Sequence, residues 1–315
     1  MPEKGSRLVS ANIVTGFLGS GKTTLLKSAL KKGLDHRKVA LIVNDFGEIG
    51  IDGTVLQGIN VDRMIELPSG CICCTVGSRF ALAVQEITDT VQPHLIVIET
   101  SGAADPGNLI SELRLIGVKV DSVIATVDVE QIGRFCKENK TAIRQIEEAD
   151  FIVMNKIDLI SAEALRSVEK QLRRLNPRAP IFPALYGEVK EEILFATSVR
   201  RFWKGSREPA RATEDHLRED QLTSFSFKKE GVMNRRKFER FLKRLPEKVY
   251  RAKGIVKFNE EGWSSLFNYT CGRSRIDWLS PAEGERFANR AVVIGKDLGA
   301  LKERILRDLE KCMEP

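Results

Sequence analysis

Histidine is nearly missing from this chain. Three residues among 315, at positions 36, 94 and 216, leave few nitrogen ligands for a metal. No apolar run approaches the ~20 residues needed to cross a bilayer, so a membrane-spanning role is not expected. The opening "MPEKGSRLVSANIVTGFLG" lacks a basic segment followed by a long apolar stretch and a small-residue cleavage site. It does not read as a signal peptide, and a cytoplasmic, reducing compartment is the expectation. Cysteine occurs six times, and the sequence contains no two separated Cys pairs of the kind that close a structural zinc site. A disulfide framework is therefore not expected. Internal repeats and low-complexity tracts are absent too.

Hydrophobic residues make up 42% and charged residues 30%, ordinary values for a chain that buries a real core. The net charge of +7 is uneven. From Leu222 onward there are 21 Lys+Arg against 13 Asp+Glu, so the basicity belongs entirely to the C-terminal part. The first ~185 residues alternate short apolar runs with amphipathic stretches. Strands are expected at 8–16, 38–45, 59–67, 94–100, 121–128, 150–156 and 179–184, with helices between most of them, among them 22–32, 78–90 and 161–175. Continuous β-branched runs suit strands buried on both faces, and strand–helix alternation implies a doubly wound, mostly parallel sheet. From Glu188 to Gln221 the pattern lapses into a charge-dense linker with a short helix at 190–196. Strands at 222–227, 249–258, 262–270 and 290–294, with helices at 234–245 and 297–312, then make a smaller α+β domain. The expected organisation is α/β at 1–187, a linker at 188–221 and α+β at 222–315.

"GFLGSGKTT", Gly16 to Thr24, fits G-x-x-x-x-G-K-[ST] and lies between a strand and a helix, as a phosphate-binding loop must. Gly16, Gly19 and Gly21 allow the tight turn that aims backbone N–H groups, with those of Ser20 and Thr24, at phosphate oxygens. Lys22 reaches the outer phosphates as a catalytic cation, and the Thr23 hydroxyl is placed for Mg²⁺. "NKID", Asn155 to Asp158, ends a later apolar strand. With Asn155 and Lys156 beside it, the Asp158 carboxylate can accept from the two guanine donors that adenine does not present. GTP is the expected nucleotide. "HLIVIETSG" ends a strand in Glu99, with Gly102 three residues on. That is the layout of a carboxylate supporting Mg²⁺ and its water, and of a glycine N–H near the third phosphate.

"GCICC" places Cys71, Cys73 and Cys74 within four residues. Three thiolates from one loop suit a soft or borderline ion such as Zn²⁺, and they leave a shell to be completed by a carboxylate, water or a partner's donor. Asp45 and Glu48 in "NDFGEIGID" are candidates. A redox-active thiol pair and plainly buried cysteines are the competing readings. Cys136, Cys271 and Cys312 stand alone and are expected to be inert.

"TGFLGSGKTTLL", "NDFGEIGID", "GCICC", "ETSGAADP" and "NKIDL", in that order, resemble the CobW-like branch of P-loop GTPases, relatives of the nickel-insertion GTPases for urease and hydrogenase. "SFSF", "FERFLKRLP", "YRAKGIVKF" and "AVVIGKDL" are similar to that family's second domain. The resemblance implies a P-loop fold and GTP hydrolysis coupled to delivery of zinc or cobalt to a metal-requiring client protein, with nucleotide-dependent homo-oligomerisation as a further partner expectation. It carries the metal motif onto Cys71, Cys73 and Cys74 and the acidic loop onto Glu48. The family's usual Glu in that loop is Asp45 here, one methylene shorter. The His-rich linker of many members is lacking, so no accessory metal store is indicated.

Between Lys228 and Lys253 there are 11 basic and 3 acidic residues. A solvated face, an acidic protein client and a nucleic acid are the readings of that stretch. Nucleic acid is disfavoured, because the phenylalanines at 238 and 241 recur at core spacing with Leu242 and Leu245 rather than forming a stacking platform. Overall the sequence points to a slow GTPase that carries a transition metal. A redox-regulated guanine-nucleotide-binding interaction protein and an RNA-associated GTPase are the alternatives.

Overall fold

The computed structural model describes residues 9–31, 34, 38–44, 60–67, 77–189, 191–195, 222–259, 264–279 and 288–314. The chain divides into two compact units, Met1–Phe195 and Ala196–Pro315.

The first unit is built on a seven-stranded sheet. Its strands are β1 (Ser10–Thr15), β2 (Val39–Asn44), β3 (Arg63–Leu67), β4 (Leu95–Glu99), β5 (Lys119–Asp128), β6 (Phe151–Asn155) and β7 (Ile181–Ala184). They lie in the order β3-β2-β4-β1-β5-β6-β7, and every pairing is parallel. The helices are α1 (Lys22–Leu30), α2 (Gly77–Thr90), α3 (Pro106–Leu115), α4 (Ile132–Glu138), α5 (Lys140–Glu147), α6 (Ala162–Leu175) and α7 (Glu191–Phe195). β4 and β6 are buried at every position, as the continuous apolar runs "LIVIE" and "FIVMN" require. One core cluster joins α2 and α3 to β1, β2 and β4 through Phe80, Ile87, Leu109 and Leu113. Another joins α4, α5 and α6 to β5 and β6 through Ile132, Ile146 and Leu172.

The expected linker begins at 188, yet the first unit runs on through α7. Leu194 and Phe195 are fully buried, and the buried Asn12 side chain on β1 donates to the Leu194 carbonyl at 2.9 Å. A buried amide on a central strand needs such an acceptor, so this contact holds α7 in place.

The second unit is an antiparallel sheet of β8 (Leu222–Lys229), β9 (Val249–Lys257), β10 (Ser264–Thr270), β11 (Arg273–Leu279) and β12 (Asn289–Lys296), ordered β11-β10-β9-β12-β8. α8 (Arg235–Lys243) and α9 (Gly299–Glu310) supply its helices. Asn234 caps α8 by accepting from Lys237 N at 3.0 Å. Phe238 is fully buried, with ring centroids of Phe267, Phe258 and Phe241 at 5.0, 5.7 and 5.9 Å. β11 has no counterpart among the strands expected from sequence. It returns from β10 through the two-residue turn Cys271–Gly272, both at positive φ (45° and 89°), the geometry that matches hairpin twist. Among the described residues no helix is long and apolar enough to cross a membrane.

Candidate functional site

Parallel pairing brings the carboxyl ends of the central strands to one edge, where loops can converge on a ligand. Glu99 ends β4 opposite Val14, Asp128 ends β5 opposite Asn155, and Asn155 in turn faces Ala184. The loop after β1 wraps over this edge and opens α1. A Cβ at Gly16 (φ 141°) would collide with the Thr126 carbonyl, and one at Gly21 (φ 97°) with the Asn155 amide. Those two positions accept only glycine.

Beneath the loop lies a row of buried hydroxyls. Thr126 Oγ1 donates to Thr15 O at 3.2 Å, and Thr100 Oγ1 donates to Thr15 Oγ1 at 3.0 Å. A hydroxyl has one proton, so in the 2.8 Å contact between Ser20 and Thr126 it is Ser20 that donates. The floor of the loop is thereby tied to β1, β4 and β5.

Lys22 is 8% exposed, and its Nζ donates to Gly16 O at 3.0 Å and to Phe17 O at 3.4 Å. The ammonium is held against the loop, where burial strengthens its attraction for any anion that the loop binds. Thr23 Oγ1 donates to Glu99 Oε1 at 2.8 Å, with Glu99 2% exposed. This hydroxyl and carboxylate are hard oxygen donors side by side, a set that fits Mg²⁺. Gly19 and Thr24 are exposed on the outer turn. Gly102 presses on the loop from the other side, since a Cβ there would come within 2.6 Å of Leu18 N.

Asn155 is a bracket. Its Nδ2 donates to Ser20 O at 3.0 Å and its Oδ1 accepts from Gly187 N at 2.9 Å, so it ties the phosphate loop to the turn after β7. Lys156 adopts left-handed backbone (φ 63°), and its Nζ pairs with Asp128 Oδ2 at 2.7 Å. Asp158, in the short 3₁₀ turn Ile157–Leu159, stays exposed at the same edge. Structure thus brings together Gly16, Ser20, Gly21, Lys22, Thr23, Glu99, Gly102, Asn155, Lys156 and Asp158. It adds four residues that the sequence reading passes over: Thr126, Asp128, Gln145 and Gly187. Asp128 had a signal, as a polar residue ending an apolar strand like Glu99 and Asn155. Gly187, through one non-local hydrogen bond to Asn155, and Gln145, through two to Gly102 and Ala104, had none.

Cys71, Cys73 and Cys74, with Asp45 and Glu48, lie outside the described residues. Among the described residues no group of three or more His, Cys, Asp or Glu could hold a metal. The other three cysteines are free thiols. Burial pushes the Cys136 thiol up, and pushes Cys312 up to about 11. On α8, Arg236, Lys237, Arg240 and Lys243 are exposed, opposite the buried Phe238, Phe241 and Leu242.

Comparison with known proteins agrees in extent with this two-unit division. Residues 10–183 match the family described as CobW/HypB/UreG, nucleotide-binding domain, and residues 222–313 match the cobalamin synthesis protein cobW C-terminal domain. The zinc chaperone YjiA of Escherichia coli K12 is 28% identical over 307 residues, covering 92% of this chain and 95% of that protein. The zinc chaperone CobW of a Sinorhizobium species is 35% identical over 224 residues, 61% of this chain and 63% of its own length. The zinc-regulated GTPase metalloprotein activator 1 of Schizosaccharomyces pombe is 34% identical over 200 residues, 59% of this chain and 48% of its own. The matches to those last two thus span less than two thirds of each relative. The solved structure of Zn(II)-bound YjiA GTPase from Escherichia coli aligns over 98% of this chain and all of its own, with 24% identity and a TM-score of 0.46. The chain belongs to the CobW/HypB/UreG family.

Proposed function

We propose that this protein is a GTP-hydrolysing metallochaperone, which binds a transition metal through its CxCC motif and passes it to a client protein. The contact of Thr23 with Glu99, beneath a loop that carries Lys22, is the observation that supports the reading most directly. In it, backbone N–H groups from Gly16 to Thr24 cradle the phosphates and Lys22 offsets their charge. Thr23 and Glu99 hold Mg²⁺, which supplies charge neutralisation at the outer phosphates when bound. Gly102 meets the third phosphate. Asp158 accepts from guanine, while Asn155 and Lys156, anchored to Ser20, Gly187 and Asp128, hold the turn that presents it. Neither "GFLGSGKTT" nor "ETSG" contains a water-positioning Gln or an arginine finger, so intrinsic turnover is slow.

The cargo is a metal that thiolates select, held by Cys71, Cys73 and Cys74 with Glu48. Relatives named as zinc chaperones favour zinc, with cobalt as a spectroscopic stand-in. Nucleotide can control the metal only if the thiol loop differs between the GDP and GTP states. The test is to titrate Zn²⁺ or Co²⁺ into the protein loaded with GDP and with the imido analogue of GTP. About one metal per chain is expected, with thiolate-to-cobalt charge-transfer absorption and an affinity that depends on the nucleotide. Equal affinities in the two states would leave metal carriage without nucleotide control and defeat the proposal. A wild type that binds ATP as well as GTP would defeat its guanine assignment.

A further inference from the structure

Residues 100–105 join the Mg²⁺-side carboxylate Glu99 to α3, and this short segment is gripped from one direction by two neighbouring residues of α5. Gln145 Nε2 donates to Gly102 O at 3.2 Å and to Ala104 O at 3.0 Å. Arg144 Nη1 pairs with Asp105 Oδ2 at 2.6 Å. The same Asp105 caps α3, its Oδ1 accepting from Gly107 N at 2.9 Å. Opposite this grip Gly102 is packed against the phosphate loop at Leu18.

Gln145 is 1% exposed. Two carbonyl acceptors fix which end of its amide faces the segment, because only the NH₂ end can donate to them. Its Oε1 is then buried with no hydrogen-bond partner among the described residues. It lines a small cavity under the phosphate loop together with Gly16, Phe17, Ser20 and Thr126. An apolar side chain of equal volume would fill this space without a stranded acceptor, so packing alone does not account for a glutamine.

We infer that Gln145, seconded by Arg144, is a positioning residue for sensing of the third phosphate. It acts through Gly102, holding the 102–105 segment at the distance from the loop where a triphosphate can engage it. The inference rests on the GTP reading of the site. GDP has no group to offer this segment, so its binding is indifferent to the grip. A triphosphate bound to a loosened segment must order it first, which lowers apparent affinity and turnover.

The experiment uses the full chain with Mg²⁺ and compares GDP with the imido analogue of GTP. Gln145→Met keeps the volume and removes both donors. It is expected to weaken the analogue and lower kcat by about tenfold each, the scale of one or two lost hydrogen bonds, with GDP affinity held within about twofold. Gln145→Glu turns an acceptor on the two carbonyls and is expected to be at least as impaired, which separates loss of the donor from loss of volume. Arg144→Ala, at a side chain 65% exposed, is expected to shift the same ratio about threefold without unfolding the chain, and less at high salt. If Gln145→Met does not fold, the Arg144→Ala ratio decides the question. Equal weakening of GDP and analogue, or a fall in melting temperature with kcat unchanged, would mean a merely structural role and overturn the inference. A wild type that binds neither nucleotide sinks the GTPase reading as well, whereas variants that match a GTP-hydrolysing wild type sink this inference alone.

Discussion

The two units use opposite ways of pairing strands, and their chemistry follows. In the first, every strand is parallel, so each polar strand end arrives at the same edge: Glu99, Asp128 and Asn155 meet the phosphate loop there. In the second, antiparallel pairing sends successive strand ends to opposite edges, and the described side chains carry no comparable convergence. What stands out there is a helix with an aromatic core face and a cationic outer face. The parallel sheet assembles a reaction site, and the antiparallel one offers a surface.

The sharpest way to break this contrast is to remove the first unit's cation. Lys22→Ala takes the counter-charge from the outer phosphates and should lower GTP turnover by about a hundredfold or more. Phosphate release at saturating GTP is the measurement. Charge reversal at Arg236, Arg240 and Lys243 on α8 should leave that intrinsic rate unchanged. A loss of turnover from the α8 variant comparable to that from Lys22→Ala would mean that the site is not confined to the first unit.

A second large effect should stay within the second unit. Phe238→Ala empties a site ringed by Phe241, Phe258 and Phe267 and should cost about 3–5 kcal/mol of that unit's stability. The core clusters of the two units share no residue, so guanine-nucleotide affinity should persist. Calorimetry of the full chain with and without GDP checks both. Loss of nucleotide binding alongside the second unit's transition would show that the units do not fold independently.

Next in size is the base. Asp158→Asn replaces a carboxylate that can accept twice by an amide that accepts once, and should weaken GTP by about 1–3 kcal/mol while sparing ATP. Competition binding measures the ratio. An unchanged GTP/ATP ratio would move base recognition elsewhere, the turn anchored by Gly187 being the next place to look.

The parts of this site that the sequence discloses are local. The phosphate loop and "NKID" each complete their chemistry within nine residues, so spacing alone carries them, and seven strands emerge from short apolar runs, several of them uninterrupted. Strand order does not, because β4 lies between β2 and β1 through contacts that no local pattern encodes. The motif places Asn155 in the nucleotide site, but not the engagement of its amide by Ser20 and Gly187, 135 and 32 residues away. β11 escapes because "RSRIDWL" alternates around charged residues and its turn is Cys–Gly rather than the more telling Asn–Gly. α7 is legible as the short helix expected at 190–196, but its attachment to the first unit is not, because it rests on the burial of Leu194 and Phe195 and on the hydrogen bond from Asn12, far away in sequence.

The smallest expected effect contrasts the isolated cysteines with the clustered ones. Burial raises the Cys312 thiol from 9.0 to about 11, outweighing the nearby cations Lys237 and Arg240, which pull it down, and burial raises Cys136 as well. The thiolate is the nucleophile, so at pH 8 only about one Cys312 in a thousand is reactive, against roughly a quarter of thiols with the reference value near 8.5. Brief alkylation of the folded, metal-free chain should therefore mark Cys71, Cys73 and Cys74 well before Cys312, and denaturant should erase the difference. Because the folded chain holds the Cys312 proton more tightly than the unfolded one, the stability this gives the second unit is present below pH 9 and is lost as pH rises from about 9 towards 11. Cys312→Ala should flatten that decline. Early labelling of Cys312 at pH 8, or an unaltered decline in the variant, would show that the end of α9 opens to solvent and that the second unit is looser there than its packing implies.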